Sequence, residues 1–273
     1  CYRVAGYMDT STDALDSESP DYASRVMDAI EEFAVEDSIM KVFGSEASSF
    51  VIDEAVQIHG GYGYSREYEV ERSYRDARIN RIFEGTNEIN RMLIPGMLLK
   101  RTMSGQLPLF EVIQRAETAI AGDKAEAPAP ADGSLDHEMF LCNRGKLMSV
   151  FVANAAIQKF MATFKDEQEI MLAIADMMIL VYGVDSTLCR VKQLAERGAA
   201  TPVHYAIARV FAAEGYEKIV AVARKVAPTL AQGAALADLH ARLEKLTFAP
   251  SVDLIAAKRE IAAFAVEQTD WTL

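Results

Sequence analysis

Arg78-Ile79-Asn80-Arg81-Ile82-Phe83-Glu84-Gly85-Thr86-Asn87-Glu88-Ile89 is the stretch from which the rest of the chain is read. A basic segment stops at Phe83, and a helix restarts at Thr86, a residue suited to an N-cap. One carboxylate, Glu84, and one glycine, Gly85, stand between them. A Glu at a helix start has a plain reading, a charge matched to the positive end of the helix dipole. Its second reading is a catalytic base held against a substrate at a break between helices. Alone, Phe-Glu-Gly-Thr favours the first reading; its surroundings favour the second.

Those surroundings are long and ordered. Upstream lies Gln57-Ile58-His59-Gly60-Gly61-Tyr62-Gly63-Tyr64, and between the two runs Glu71-Arg72-x-x-Arg75-Asp76-x-Arg78-Ile79. Taken alone, Gly60-Gly61-Tyr62-Gly63 reads as a helix end and turn. Together, over about residues 20 to 105, the three runs resemble the C-terminal domain of acyl-CoA dehydrogenases, most closely the bacterial and very-long-chain members. The resemblance implies that Glu84 is the general base of fatty acid β-oxidation. It removes the α-proton of an acyl-CoA thioester while the β-hydrogen leaves as hydride to FAD, giving the trans-2-enoyl-CoA.

Phe83 and Gly85 are implied to flank the substrate. Gln57, Gly60 and Gly61 are implied to reach the ADP portion of FAD, often across a subunit interface. Thr86, Asn87 and Glu88 match the segment that contacts the flavin, with Glu88 acidic where some relatives carry an amide. Electron-transfer flavoprotein is the implied electron acceptor, and a homodimer or tetramer the implied assembly. The family's N-terminal helical domain and middle β domain are absent from this sequence, so the chain reads as a C-terminal part without a complete active site. A thioester α-proton is weakly acidic, so such chemistry needs charge stabilised where it develops and a base whose pKa burial can raise. Phe83 and the small Gly85 suit a tight, dry slot.

The bulk properties agree with this class. The 273 residues are 51% hydrophobic and 25% charged, as in ordinary globular domains. A net charge of -12 opposes nucleic acid and anionic membrane surfaces. No signal peptide is recognisable, and apolar runs such as Met177 to Tyr182 are short for a bilayer span. Three cysteines, Cys1, Cys142 and Cys189, fit a reducing cytoplasm, and the latter two lie on apolar faces. The four histidines have no metal spacing, so no metal is assigned. Arg72, Arg75, Arg78 and Arg81 interleave with acids and read as an ion-pair network.

Apolar spacing of three and four dominates throughout, so the fold is expected to be all-α: a helical bundle domain of the acyl-CoA dehydrogenase C-terminal type, followed by a second helical bundle. Ser19-Pro20 reads as a helix start. A helix toward Gln57 carries Ile39, Phe43, Ala47, Phe50 and Val51 on one face, and Thr86 starts another with Pro95 inside it. The Ala/Pro-rich run around Ala125 to Pro130 marks a linker, placing domains at 1–121 and 136–273 about a linker at 122–135. Beyond it, Phe140, Leu147, Val150, Ala153, Ile157, Phe160 and Phe164 mark one helix. Ile170, Ile174, Met177, Val181, Val184, Leu188 and Val191 mark a second, with Asp166 and Glu169 as its capping pair. Thr201-Pro202 caps a third. By position and helicity this half resembles the extension of very-long-chain acyl-CoA dehydrogenases. The rival to an enzyme part is a non-catalytic assembly or interaction protein that keeps the fold.

Overall fold

A computed structural model describes residues 1–268. These residues form eleven α-helices joined by turns, with no strand among them. They divide into two compact units, Cys1–Ser104 and Gly105–Leu273.

In the first unit, α1 (Tyr2–Asp13) packs on α2 (Tyr22–Glu31), and α3 (Ala34–His59) packs on α4 (Glu69–Arg78) and α5 (Asn87–Met103). Ser19-Pro20 lies in a turn ahead of α2, which starts two residues later than expected, because Ser19 hydrogen-bonds to Asp21 instead of capping. The buried stripe of α3 is Val35, Ser38, Ile39, Val42 and Ser45, at helical spacing. Its two serines are tolerated there because Ser38 Oγ donates to the Ala34 carbonyl at 2.9 Å and Ser45 Oγ to that of Val42 at 3.1 Å. The expected face shares only Ile39 with this stripe; Phe50 and Val51 are 66% and 63% exposed. α5 continues past Pro95, which is buried.

In the second unit, α7 (Asp136–Phe160), α8 (Gln168–Glu196) and α9 (Pro202–Leu230) pack on one another, flanked by α6 (Leu109–Ala121), α10 (Gly233–Leu246) and α11 (Leu254–Glu267). On α8 the expected apolar series is buried except for Val181, which is half-buried. Asp166 and Glu169 do not cap it, since a 3-10 turn spans Met161–Asp166 and the N-cap is Glu167. On α7 the buried residues run one position off the expected series, through Leu141, Cys142, Gly145, Met148, Phe151, Val152 and Ala156. This helix contacts α6, α8, α9 and α10, so its buried arc is wide and takes in His137 and Glu138 as well. Cys142 is buried as expected, whereas Cys189 is exposed. By length and composition α7 and α8 are apolar enough to cross a membrane; in the fold 33% and 39% of their most apolar windows are buried.

The compact units divide before α6, not at the expected position after it. Helix α6 buries Ala116 and Ile120 against α7 and α10. The run 122–135 is a strap on the second unit: Pro128 O meets His137 Nδ1 at 2.6 Å, and Arg209 donates to Ala131 O at 2.7 Å. Composition marked a linker because Ala, Pro, Gly and Asp replace the periodic apolar pattern there and Pro cannot continue a helix, but these carbonyls are held by the bundle.

Candidate active site

The break between α4 and α5 is built from a 3-10 turn, Ile79–Arg81, and a tight reversal. Ile82 and Phe83 N–H groups both donate to Ile79 O, at 2.8 and 3.1 Å. The next two residues are left-handed, Glu84 at φ 57° and Gly85 at φ 73°. Glycine adopts that conformation freely, whereas a glutamate there is strained, by about 1–2 kcal/mol. Glu84 is exposed on this turn, with Phe83 exposed beside it. Its carboxylate has no hydrogen-bond or ion-pair partner among the described residues. Thr86 then caps α5, its Oγ1 accepting from Ile89 N at 3.3 Å.

The loop is fastened from beneath. Asn90 Nδ2 donates to Gly85 O at 3.0 Å and Thr86 O at 3.1 Å. A Cβ on Gly85 would stand 3.1 Å from the same Asn90 nitrogen, so a side chain is crowded there as well as strained. Asn87 is 2% exposed and faces inward: its amide donates to Ser45 Oγ at 3.0 Å and to Glu46 Oε1 at 3.1 Å. Glu46 is gripped at both oxygens by Arg91, at 2.7 and 2.9 Å. Burial pushes the Glu46 carboxyl upward, but the hydrogen bonds from Arg91 and Asn87 outweigh it and hold it below its usual range. Glu88 is exposed; its own N–H and the Thr86 hydroxyl hold its carboxyl below the usual range, as a helix-start acid does.

The other expected residues lie elsewhere. Gln57 is exposed near the end of α3, which closes at Gly60 with φ 59°. No atom lies within 4 Å of where a Cβ on Gly60 or Gly61 would stand, so their backbone is open to approach. Gly63 differs, since a Cβ there would meet Val56 O at 2.5 Å. The Glu84 turn sits against Lys41, whose Nζ reaches Gly85 O. Lys41 and Gln57 are sixteen residues apart on one helix, about 24 Å at 1.5 Å rise per residue. Within this unit the structure therefore groups Phe83 to Glu88 and leaves Gln57, Gly60 and Gly61 at a separate place. Sequence reasoning passed over Lys41, Ser45, Glu46, Asn90 and Arg91, which build the floor of the turn. Around both places large apolar side chains are uncovered, among them Ile58 at 82% and Tyr64 at 80% exposed.

The fold and the site define an all-α helical domain that projects a carboxylate from a strained turn, with an open glycine helix end at a distance. The chain belongs to the acyl-CoA dehydrogenase family: models of the acyl-CoA dehydrogenase C-terminal domain match residues 7–99 and, separately, 144–245. It is 37% identical over its whole length to a probable acyl-CoA dehydrogenase of Bacillus subtilis, spanning 46% of that relative, or about half its length. Over 79 residues it is 48% identical to a subunit of the caffeyl-CoA reductase–Etf complex of Acetobacterium woodii, covering 29% of this chain and 21% of that one. Its fold matches the structure of an acyl-CoA dehydrogenase complexed with FAD from Bacillus anthracis, with a TM-score of 0.92 and 36% identity, over 100% of this chain and 46% of that one.

Proposed function

We propose that this chain supplies the catalytic base and part of the cofactor surface of a FAD-dependent acyl-CoA dehydrogenase, which converts acyl-CoA to trans-2-enoyl-CoA. The observation that carries the reading is Glu84, a carboxylate on a left-handed backbone that only the network beneath it sustains. Strain of this kind persists where the surroundings over-determine it, and such places cluster at active sites.

The residues present fit an adenine dinucleotide. The open backbone at Gly60 and Gly61 lets a phosphate approach, and Gln57 stands exposed beside it. Thr86 presents a hydroxyl at the start of α5. Asn87 contributes only its backbone to this surface, because its amide is spent on Ser45 and Glu46. Glu88 offers a negative group, not an amide. The roughly 24 Å between the two places, estimated from the rise of α3, supports a homodimer or tetramer in which Gln57 to Gly61 serve a partner's cofactor. Bound FAD supplies the hydride acceptor.

The work of this chain is proton transfer. Glu84 takes the α-proton of the thioester, its own backbone N–H donates to the thioester oxygen as charge develops, and Phe83 and Gly85 shape the slot. Electron-transfer flavoprotein is the proposed acceptor, supported by the Etf complex to which one relative belongs.

The test is anaerobic titration of the full-length protein with acyl-CoAs of increasing chain length, following flavin absorbance. Bleaching by one chain-length range, lost in Glu84→Gln while FAD stays bound, is the expected result. Bound flavin that no acyl-CoA bleaches would instead assign the chain to a non-catalytic assembly role.

A further inference from the structure

Lys41 is on α3, 44 residues before Gly85 and outside the run that carries the resemblance to a base. Its ammonium nevertheless makes two hydrogen bonds into the Glu84 turn, to Gly85 O at 2.6 Å and to Asn87 Oδ1 at 2.7 Å. A cation at the N-terminus of α5 has the wrong sign for the helix dipole, so helix stability does not account for it there. What it does is orient a carbonyl. Gly85 O accepts from both Lys41 Nζ, at 2.6 Å, and Asn90 Nδ2, at 3.0 Å. That fixes the peptide plane after the two left-handed residues.

We infer that Lys41 is a positioning residue for Glu84, an assignment that rests on the proposed role of Glu84 as base. The strained φ of Glu84 sets the direction of its Cα–Cβ bond, and hence where the carboxylate points. Without the ammonium one of the two clamps on Gly85 O is gone. Asn87, buried at 2% exposure, loses the shorter of its two donors to Oδ1 and keeps only Ser45 Oγ, at 3.2 Å. The turn then relaxes toward ordinary backbone and the carboxylate swings away from the α-carbon. Lys41 touches neither proton nor thioester in this scheme; it acts through the loop.

The test compares Lys41→Met and Lys41→Arg with the parent as full-length FAD-loaded protein. A misplacement near 1 Å lowers rate by about a hundredfold. The expected result for Lys41→Met is a kcat lower by about that factor, with KM for acyl-CoA and FAD content within about twofold of the parent. Amide hydrogen exchange rises in the 82–90 peptide and stays unchanged in α8 and α9. Lys41→Arg, whose guanidinium donates to the same two oxygens, recovers part of kcat. A Lys41→Met protein with parental kcat overturns the assignment, and so does one whose kcat falls only in step with lost FAD. A parent that no acyl-CoA reduces defeats the dehydrogenase reading instead. Hydrogen exchange then still decides about Lys41, since an unchanged 82–90 peptide means it holds nothing.

Discussion

Glu84 combines two properties that local preference would keep apart, a charged side chain and a φ of 57°. A glycine at this position would relieve the strain, by about 1 kcal/mol or more. Glu84→Gly is therefore expected to melt a few degrees above Glu84→Ala, which keeps a Cβ in the left-handed region, although neither has a base. Calorimetry on both variants measures the difference, and equal melting temperatures would show that the turn carries no strain. Glu84 and the cap at Thr86 were legible because carboxylate, glycine and threonine each have a local meaning. The floor was not. Asn87 looks like a surface residue of a helix start, and its inward turn depends on Ser45 and Glu46, more than forty positions earlier. Lys41 is one lysine among many until its two acceptors are seen.

Helix α8 was the most legible element, because large branched residues at alternating steps of four and three leave one choice of face. Helix α9 was the least so. It meets its neighbours through Ala206, Ala208, Ala212, Ala213 and Gly215, and small residues carry little apolar signal while permitting close approach. A Cβ on Gly215 would lie 2.9 Å from Val184 Cγ2. The same helix carries Tyr216, at 1% exposure, whose hydroxyl donates to Leu246 O at the end of α10 and accepts from Phe248 N at 3.2 Å. Burial pushes this phenol up to about 12 from its ordinary 10. The folded pKa exceeds the unfolded one, so the contribution to stability is intact below pH 10 and is lost as pH rises from 10 through 12. Tyr216→Phe is expected to cost about 1–3 kcal/mol at neutral pH, by leaving the buried Leu246 carbonyl and the part-buried Phe248 N–H without this partner. Denaturant unfolding across this range checks it. The deficit of the variant shrinks above pH 10, and a deficit constant to pH 12 would contradict the assignment.

At the scale of the whole molecule the chain is two helical units that divide before α6, whereas composition sets the boundary after it. Ala/Pro content marked 122–135, yet His137 and Arg209 bind that run to the second unit, and α6 packs there too. A chain of residues 105–273 is expected to unfold in one cooperative step. A chain of 136–273, stripped of α6 and the strap, is expected to melt well below it, since burying Ile120 alone is worth about 1.5–3 kcal/mol. Equal melting temperatures would return the boundary to 121/122. The first unit, by contrast, leaves Phe50, Ile58 and Tyr64 uncovered. Its chemistry accordingly belongs to the full-length protein, and the most direct test of the base is made there. A 3-thiaacyl-CoA has sulfur at the β position, so it has no hydride to give and only its α-proton can move. In deuterium oxide the parent is expected to exchange that proton with solvent, and Glu84→Gln to leave it in place with FAD and ligand still bound. Equal exchange by both proteins would mean that Glu84 is not the base.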